Sequence, residues 1–239
     1  MSSSPTNIEV SVVIPAYNQA DLLIRLLDSL AAMTDTPVWE VIIVDDASTD
    51  NTRRAVEAWL QAQQDIRGCY LCQQHNQGPG AARNRGLEAA QGNVVAFTDT
   101  DCAVSPDWLT ALVAPLADDE QIAGVGGTVL PCNPDNPFAR YNTLNHTLEP
   151  ITSPDYAIPY LVTCNGCYRR DALLSVGGFP TDIQRPGGED IAASIALYKQ
   201  GYRFAFAPDA TIQHDYRDTW RSFARTWMNY GYGCGLIAH

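Results

Sequence analysis

The first 130 residues alternate between short β-branched runs and segments whose apolar residues recur at helical spacing. The runs that we predict as strands are 10–15, 38–46, 69–72, 94–98 and 123–130. Helices are predicted from Asp21, over 51–63, over 80–91 and over 106–116, with Ser105 and Pro106 as N-cap and first residue of the last one. Such alternation is typical of βαβ units and predicts an α/β fold with a mostly parallel sheet flanked by helices.

Polar residues collect directly after the predicted strands. Asn18 follows the first strand, and Asp45 and Asp46 end the second. Asp99 and Asp101 follow the fourth. Ligands of parallel α/β sheets bind beyond the carboxyl ends of the strands, so we expect these side chains to converge on one crevice.

The second half of the chain is less regular. Prolines crowd residues 131–160 and predict loops around one short helix near 138–147. The later elements predicted are a helix from the motif GGED (187–190) to Lys199 with Gly201 as C-cap, a strand over 202–208, an extended piece over 211–215 and an amphipathic helix from Thr219. No linker or internal repeat divides the chain. We therefore predict a single domain over 1–239, with a regular half of about 8–130, an irregular half of about 131–218 and a terminal helix over 219–239.

The charge balance excludes one class of partner. The chain has 15 basic and 27 acidic residues, a net charge of −12, which argues against nucleic-acid binding because phosphate contacts need a basic surface. A single nucleotide needs only a few local cations and stays compatible. The start MSSSPTN lacks the features of a signal peptide, and no apolar run approaches a membrane span, so we expect a cytoplasmic location.

The seven cysteines are an odd number and are scattered along the chain, which favours reduced thiols. Two CxxC pairs, CYLC at 69–72 and CNGC at 164–167, have the composition of a four-cysteine zinc site. Residues three apart in a strand face opposite ways, however, and CYLC lies in a predicted strand. We therefore expect buried or incidental cysteines.

The motif FTDTDC (97–102) carries two acids, Asp99 and Asp101, at the end of a buried strand. If the strand continues, both side chains point to the same face, and the two negative charges repel unless a cation lies between them. Mg²⁺ and Mn²⁺ prefer carboxylate oxygens together with substrate phosphates. Taken alone the motif is equally compatible with a solvated turn, as is the pair Asp45–Asp46.

The stretch NQGPGAARNRG (76–86) combines features suited to an anion. Gly78 and Gly80 allow the backbone to approach a ligand, and a helix N-terminus follows. Arg83 and Arg85 add guanidinium groups suited to phosphate oxygens. An ordinary glycine turn before a helix with exposed arginines is the competing interpretation.

Two further sites are candidates for acid–base or metal chemistry. Glu189 and Asp190 begin a predicted helix, where a carboxylate is stabilised as an anion and can serve as a general base. Helix-capping acids are also common at such positions. His214 is a candidate metal ligand or base, although a lone histidine after a strand is often only hydrogen-bonded.

As a set, the motifs resemble the family 2 glycosyltransferases, which have the GT-A fold. The motifs that carry the resemblance, in order, are SVVIPAYN (11–18), VDDASTD (44–50), GPGAARNRG (78–86), FTDTD (97–101), GGED (187–190) and IQHD (212–215). NGCYRRDALLSVGGF (165–179) is also similar to a segment of that family. The resemblance runs from about residue 8 to 215, and it implies that 8–130 binds a nucleotide sugar and 131–218 serves the acceptor.

On the donor side, the resemblance implies that Pro15 and Tyr17 border the nucleotide base. Asp46 is expected to hydrogen-bond the base or ribose, and Arg83 to approach the nucleotide or its diphosphate. Asp99 is expected to contact the ribose or the sugar.

On the reaction side, the resemblance implies that Asp101 and His214 bind Mn²⁺ or Mg²⁺ and that Asp190 is the general base. Asn165 and Glu189 are expected on the acceptor side. One base without a second nucleophilic carboxylate predicts inversion at the anomeric carbon.

The sequence departs from the processive members of the family, because the stretch WRSFARTW lacks the glutamine of their Q-x-x-R-W motif. We therefore expect transfer of a single sugar. UDP-sugars are favoured over GDP- or dTDP-sugars, and the acceptor is open between a glycan, a lipid-linked molecule, a peptide and a small molecule. The terminal helix is expected to pack on the domain, to lie on a membrane or to pair with another subunit.

Two other functions are compatible with parts of the sequence. A sugar-phosphate nucleotidyltransferase would carry a glycine-rich, lysine-bearing loop after the first strand, where this chain reads PAYNQADLL. A non-catalytic nucleotide-sugar-binding subunit would not need the acids and the histidine that are present here.

Overall fold

The computed structural model of the chain describes residues 8–149 and 160–237. The strands are β1 (Val10–Ala16), β2 (Trp39–Asp45), β3 (Arg67–Cys72), β4 (Val94–Thr98), β5 (Cys102–Val104), β6 (Ile122–Pro131), β7 (Asn165–Arg169) and β8 (Arg203–His214). The helices are α1 (Ala20–Ala31), α2 (Thr52–Ala62), α3 (Pro79–Ala89), α4 (Trp108–Val113), α5 (Pro137–Leu144), α6 (Arg170–Ser175), α7 (Glu189–Lys199) and α8 (Trp220–Ile237), with a 3₁₀ turn at Ala114–Ala117. The predicted loops at Pro150, Pro154 and Pro159 and the start MSSSPTN lie outside the described residues.

The eight strands form one sheet in the order β3-β2-β1-β4-β7-β6-β8-β5. β1 pairs parallel with both β2 and β4, and β2 pairs parallel with β3. β7 runs antiparallel between β4 and β6, and β5 pairs antiparallel with β8 at the edge. The predicted parallel sheet is thus confirmed for β1 to β4, while the other half of the sheet is mixed.

Helices cover both faces of the sheet, so the central strands are apolar on both sides. In β1, Val12 and Ile14 belong to one core layer, and Val13 belongs to the other. The first layer is filled by α1, α2 and α4, whose buried residues include Leu26, Val56 and Trp108; the second is filled mainly by α3, α6 and α7. Both faces are covered in this way, which leaves the carboxyl edge of β1, β2 and β4 as the place for polar groups.

Three predicted elements differ from the structure. The helix predicted over 106–116 begins at Trp108, because the Trp108 N–H donates to the carbonyl of Ser105 (3.1 Å) and closes a turn first. Ser105 is therefore not its N-cap. The pieces predicted over 202–208 and 211–215 form one strand, β8, with a register shift against β6 between Gly127 and Thr128. β5 and β7 were not predicted, because β5 has only three residues and β7 (NGCYR) contains no run of apolar residues.

A four-cysteine zinc site is excluded by the strand order. Cys69 and Cys72 lie in β3 at one edge of the sheet, and Cys167 lies in β7, four strand positions away. At about 4.8 Å per strand this separation is about 19 Å, far beyond the reach of one metal ion. All seven cysteines are free, as predicted.

Helix α8 packs back onto the domain. Its Trp220 and Phe223 rings contact Phe138 of α5, with centroids 5.1 and 4.9 Å apart. Further along, Gly233 lies so close to the segment before α7 that a Cβ atom would come within 1.7 Å of the Gly187 carbonyl oxygen. Packing on the domain is therefore confirmed for this helix. Within the described ranges, no helix has both the length and the hydropathy of a membrane span.

We predict that Gly233→Ala detaches the end of α8 from the Gly187 segment, because the added methyl group collides with backbone atoms. Overpacking of this kind costs about 1–3 kcal/mol. Urea unfolding should show the loss, and hydrogen exchange of the last turns of α8 should accelerate.

Gly231→Ala and Gly235→Ala are matched controls in the same helix, since a Cβ there meets nothing within 4 Å. Each should stabilise the helix by roughly 0.5–1 kcal/mol, since alanine replaces glycine. Equal effects of the three substitutions would contradict the packing described here.

Candidate active site

A cavity of about 850 Å³ opens at the carboxyl edge of β1, β2 and β4. Asn18, Asp46, Asp99 and Asp101 all line it, so the predicted convergence of strand-end polar residues is confirmed for these four. Asp45 behaves differently. Its carboxylate accepts hydrogen bonds from the Ser48 N–H (2.7 Å) and the Tyr70 hydroxyl, and it shapes the turn after β2.

The two acids of FTDTDC do not lie on a continuing strand. β4 ends at Thr98, and the Cys102 N–H donates to the carbonyl of Asp99 (3.0 Å), which makes residues 99–102 a tight turn. The expectation of two carboxylates on one strand face is therefore wrong. It is also not a solvated turn, because Asp101 is only 7% exposed.

Each acid of this turn has its own cationic partner. The Asp99 carboxylate lies 2.7 Å from the Arg83 guanidinium. The Asp101 carboxylate lies 3.3 Å from the Arg217 guanidinium and 3.5 Å from Nε2 of His214. Their mutual repulsion is thus relieved by separate partners within the protein.

Arg83 is the centre of a buried ion cluster. Its guanidinium contacts Asp99 and also Glu189, at 2.6 Å, and the side chains of Arg83 and Glu189 are each only 4% exposed. Burial by itself lowers the pKa of Arg83, but the carboxylates of Asp99 and Glu189 outweigh it, and the net pKa is raised. Arg83 is therefore charged in the folded protein and joins the turn after β4 to the start of α7.

Asp190 is the carboxylate of the site whose protonation is most perturbed. It is the second residue of α7 and accepts hydrogen bonds from the N–H groups of Ile191 (2.9 Å) and Thr163 (3.4 Å). Burial, and next the negative charge of Glu189, raise the pKa of Asp190 to about 7, although Arg83 opposes the shift. A carboxyl group of this kind can accept a proton near neutral pH.

Asp101, Cys102 and His214 form a cluster of candidate metal ligands whose donor atoms lie within 4.8 Å of one another. β5 and β8 bring them together, because Cys102 pairs with His214 in the sheet. Burial raises the pKa of the Cys102 thiol well above its ordinary value, and a soft sulfur suits Mn²⁺ or Mg²⁺ less well than oxygen or imidazole donors.

The donors that are left, a carboxylate oxygen and an imidazole nitrogen, fit Mn²⁺ or Mg²⁺. The Nδ1 atom of His214 is buried, with no hydrogen-bond partner among the residues of the described ranges. Nε2 faces Asp101 and is the nitrogen placed to ligate. His214 lines a second, smaller cavity that shares Asp99, Asp101 and Arg217 with the main one.

The residues predicted for the donor side also line the main cavity. Pro15 and Tyr17 line it, and Tyr17 is 48% exposed. Asp46 lines it too, but its carboxylate already accepts hydrogen bonds from the N–H groups of Gln77 and Gly78, both at 2.8 Å. Asp46 therefore also fixes the loop that leads to α3.

Asn165 is misplaced by the sequence-based prediction. It is fully buried, and its side chain bonds the Trp108 indole N–H (2.8 Å) and the carbonyls of Thr128 and Ala210 (2.9 Å each). Because its own side chain is fully buried and bonded to these groups, Asn165 does not line the cavity; it ties β7 to its neighbours. Glu189 lines the cavity, but its carboxylate is engaged by Arg83.

Sequence reasoning missed Arg217, Trp227 and Tyr230, which all line the main cavity. Arg217 follows the predicted metal ligand His214 by three residues, and an arginine there in so acidic a chain is a usable signal. Trp227 and Tyr230 are three residues apart, so one face of α8 presents both. That spacing identifies the helix face but not the cavity that it covers.

The model of the Glycosyl transferase family 2 matches residues 11–177, more than half of the chain. The chain therefore belongs to this family. Its solved structural neighbours are GT-A fold glycosyltransferases, so the predicted fold class is confirmed.

Similar proteins include glycosyltransferases from bacteria and archaea. The chain is 32% identical over 241 residues to the pre-mycofactocin glycosyltransferase of Mycobacterium tuberculosis, which covers 99% of this chain and 49% of that protein. It is 30% identical over 213 residues to the glycosyltransferase AglE of Haloferax volcanii, covering 87% and 67%. The chain thus spans about half of the length of the mycobacterial relative.

Two solved structures illustrate the shared fold. The mannosyltransferase PcManGT of Pyrobaculum calidifontis, in complex with GDP-Man and Mn²⁺, has a TM-score of 0.73 and 27% identity, covering 92% of this chain and 60% of its own. TarS of S. aureus, residues 1–349 in complex with UDP-GlcNAc, has a TM-score of 0.73 and 23% identity, covering 97% and 66%.

We predict that Arg83→Met destabilises the protein by about 3–5 kcal/mol, because Glu189 is left buried without its cation. Urea unfolding at pH 7 measures this loss. Arg85→Met is the matched control, since Arg85 is exposed on the same helix, and it should stay within about 0.5 kcal/mol of the parent protein. Similar effects of the two substitutions would show that the ion cluster does not support the fold.

Proposed function

We propose that this chain is an inverting, metal-dependent glycosyltransferase that moves one sugar from a nucleotide-diphosphate sugar to an acceptor hydroxyl. The observation that carries the proposal is a single cavity lined by Asp190, a buried carboxyl with a pKa of about 7, whose neighbour Glu189 is joined through Arg83 to the acidic turn after β4. The cavity therefore places a candidate general base beside an arginine that can bind an anion and beside carboxylates that can bind a cation.

The nucleotide end of the donor is assigned to the β1–β2 edge of the cavity. Pro15 and the exposed ring of Tyr17 offer a face for the base, and the carboxylates of Asp46 and Asp99 offer acceptors for N–H groups of the base or for ribose hydroxyls. UDP is the favoured nucleotide because of the motifs that the chain shares with its family. GDP is the alternative, because PcManGT, at 27% identity, is complexed with GDP-Man.

Asp101 and His214 would hold Mn²⁺ or Mg²⁺, in line with the Mn²⁺ in the PcManGT complex. Such an ion supplies charge neutralisation to the departing diphosphate. Arg217 contacts the same carboxylate, lines the cavity and is 45% exposed in its side chain, so its guanidinium can also turn to a phosphate oxygen.

Asp190 takes the proton of the acceptor hydroxyl as that oxygen attacks the anomeric carbon. The C–O bond to the diphosphate breaks on the opposite face, and the electron pair leaves with the diphosphate. Asp99 and Glu189 are both engaged by Arg83, so neither is a free nucleophile for a double displacement. A single displacement inverts the anomeric centre. The missing glutamine in WRSFARTW supports transfer of one sugar per acceptor.

We predict that UDP with Mn²⁺ raises the melting temperature, whereas Mn²⁺ alone raises it less. For a nucleotide at one hundred times its dissociation constant the stabilisation is about 2.7 kcal/mol, or about 5–10 °C for a chain of this length. Thermal-shift measurements with UDP, GDP and dTDP, each with and without Mn²⁺, test this and rank the nucleotides.

Asp101→Asn should remove the metal-dependent part of the shift, because it removes a candidate ligand. Asp171→Asn is the matched control, since the Asp171 side chain is 99% exposed. If no nucleoside diphosphate stabilises the protein even with Mn²⁺, the proposed function is refuted.

We predict that Asp190→Asn lowers turnover of the nucleotide sugar by about 10²–10⁴-fold while donor binding persists, because only the proton acceptor is lost. In the parent protein, log(kcat/KM) should rise with pH and level off above about pH 7, since the protonated carboxyl cannot act as a base. Release of the nucleoside diphosphate measures both quantities, even when water is the acceptor. Full turnover in Asp190→Asn would exclude this residue as the base.

A further inference from the structure

Helix α8 presents an outward face on which apolar and basic residues are mixed. Trp220, Met228, Tyr232 and Leu236 are exposed by 75, 71, 46 and 42%. Arg221 and Arg225 are exposed on the same side of the helix, because all six residues fall within less than half a turn of the helix circumference at 100° per residue. Isolated exposed apolar residues are ordinary, but a row of them along one helix is not.

Helix α5 extends this face. Its Phe138 and Tyr141 pack against the aromatic residues of α8, with the Tyr141 ring 5.5 Å from that of Phe223. Further along α5, Leu144 is 76% exposed, and Arg140 is exposed one turn before it. We call the exposed residues of these two helices the α5–α8 surface: Arg140, Tyr141, Leu144, Trp220, Arg221, Arg225, Met228, Tyr232 and Leu236.

The α5–α8 surface differs in charge from the rest of the molecule. Helices α5 and α8 contain three arginines and neither aspartate nor glutamate, which leaves 12 basic against 27 acidic residues elsewhere, a net charge of −15. Within the described ranges, none of Arg140, Arg221 and Arg225 has a carboxylate within salt-bridge distance. Three arginines without a carboxylate partner thus lie beside the exposed aromatic and aliphatic side chains of these two helices.

We propose that the α5–α8 surface docks on an anionic lipid membrane. A bilayer surface with acidic lipids attracts arginines and repels the acidic remainder of the chain, which also orients the molecule. Trp220 and Tyr232 have the amphipathic rings that sit at the headgroup level, while Met228 and Leu236 enter the acyl boundary. A second copy of the chain is a poorer occupant, because apposing two such surfaces brings like charges together.

Docking in this orientation indicates where the acceptor molecule is located. Trp227 and Tyr230 lie outside the arc of those six residues and line the main cavity, so the same helix contacts the membrane and borders the site. If the proposed function is correct, the acceptor hydroxyl belongs to a molecule anchored in the lipid surface. This second step rests on the proposed function, whereas the docking itself does not.

Flotation with vesicles tests the docking. The whole chain, without nucleotide or metal, should float with vesicles of phosphatidylcholine and phosphatidylglycerol and not with phosphatidylcholine alone, and 0.5 M NaCl should weaken the binding. Arg221→Gln with Arg225→Gln should lower the partition coefficient by about thirtyfold, from the contribution of each basic residue near an anionic surface. Met228→Ser with Leu236→Ser should also lower it.

Matched controls lie on α2 and near the end of α7. Arg53→Gln with Arg54→Gln removes two exposed arginines from α2, and Tyr198→Ser removes an apolar ring that is 56% exposed on α7; neither should change flotation. Melting temperatures check that the variants fold. Absence of binding to the acidic vesicles, or equal effects of the control variants, overturns the proposal. So does a dimer in light scattering that Met228→Ser with Leu236→Ser dissolves, since the face is then a self-association interface.

Failure of this proposal and failure of the proposed function are separable. Vesicle binding without nucleotide stabilisation refutes the transferase alone, and nucleotide stabilisation without vesicle binding refutes the docking alone.

Discussion

The buried guanidinium of Arg83 is the interaction on which the site depends. It contacts Asp99 after β4 and Glu189 at the start of α7, two segments 90 residues apart in the chain. All three groups are largely or partly removed from water. Without the guanidinium, a negative charge would therefore remain buried and unpaired in a medium of low dielectric constant, which is costly. The positions of the acidic turn and of α7 are therefore coupled through one side chain.

The same cluster determines the protonation of Asp190. Glu189 must stay beside Arg83, so its negative charge lies permanently next to Asp190 and, together with burial, raises the pKa of that carboxyl. A more exposed pair of acids at a helix N-terminus would be held ionised by the free N–H groups. The ion cluster thus accounts for two adjacent carboxyl groups of different character, one bound to a cation and one able to exchange a proton.

Much of the fold and part of the site could be predicted from the sequence, and the failures have physical causes. The strands β1, β2 and β4 are apolar on both faces and the leucines of α1 repeat at helical spacing, so their elements were recognisable. The environment of Asn165 was not, because a polar residue in a short strand reads the same whether it faces a ligand or bonds core carbonyls. The sequence left the conformation of residues 99–102 open, because an alternating D-x-D pattern fits either a continuing strand or a turn. Arg217 acquires its partner only when β8 pairs with β5, a contact between distant segments.

Helix α8 shows why the contacts of a helix are harder to predict from the sequence than the helix itself. Its inner side must fit the loop before α7 so closely that Gly233 has no room for a side chain, and it must also present Trp227 and Tyr230 to the cavity. Its outer side keeps arginines and large apolar groups exposed. The amphipathic pattern predicts the helix, but apolar residues occur on both its inner and its outer side, so the pattern alone does not tell which side faces the core. The arginines and large apolar residues of the outer side are the part of the sequence that packing on the domain does not explain.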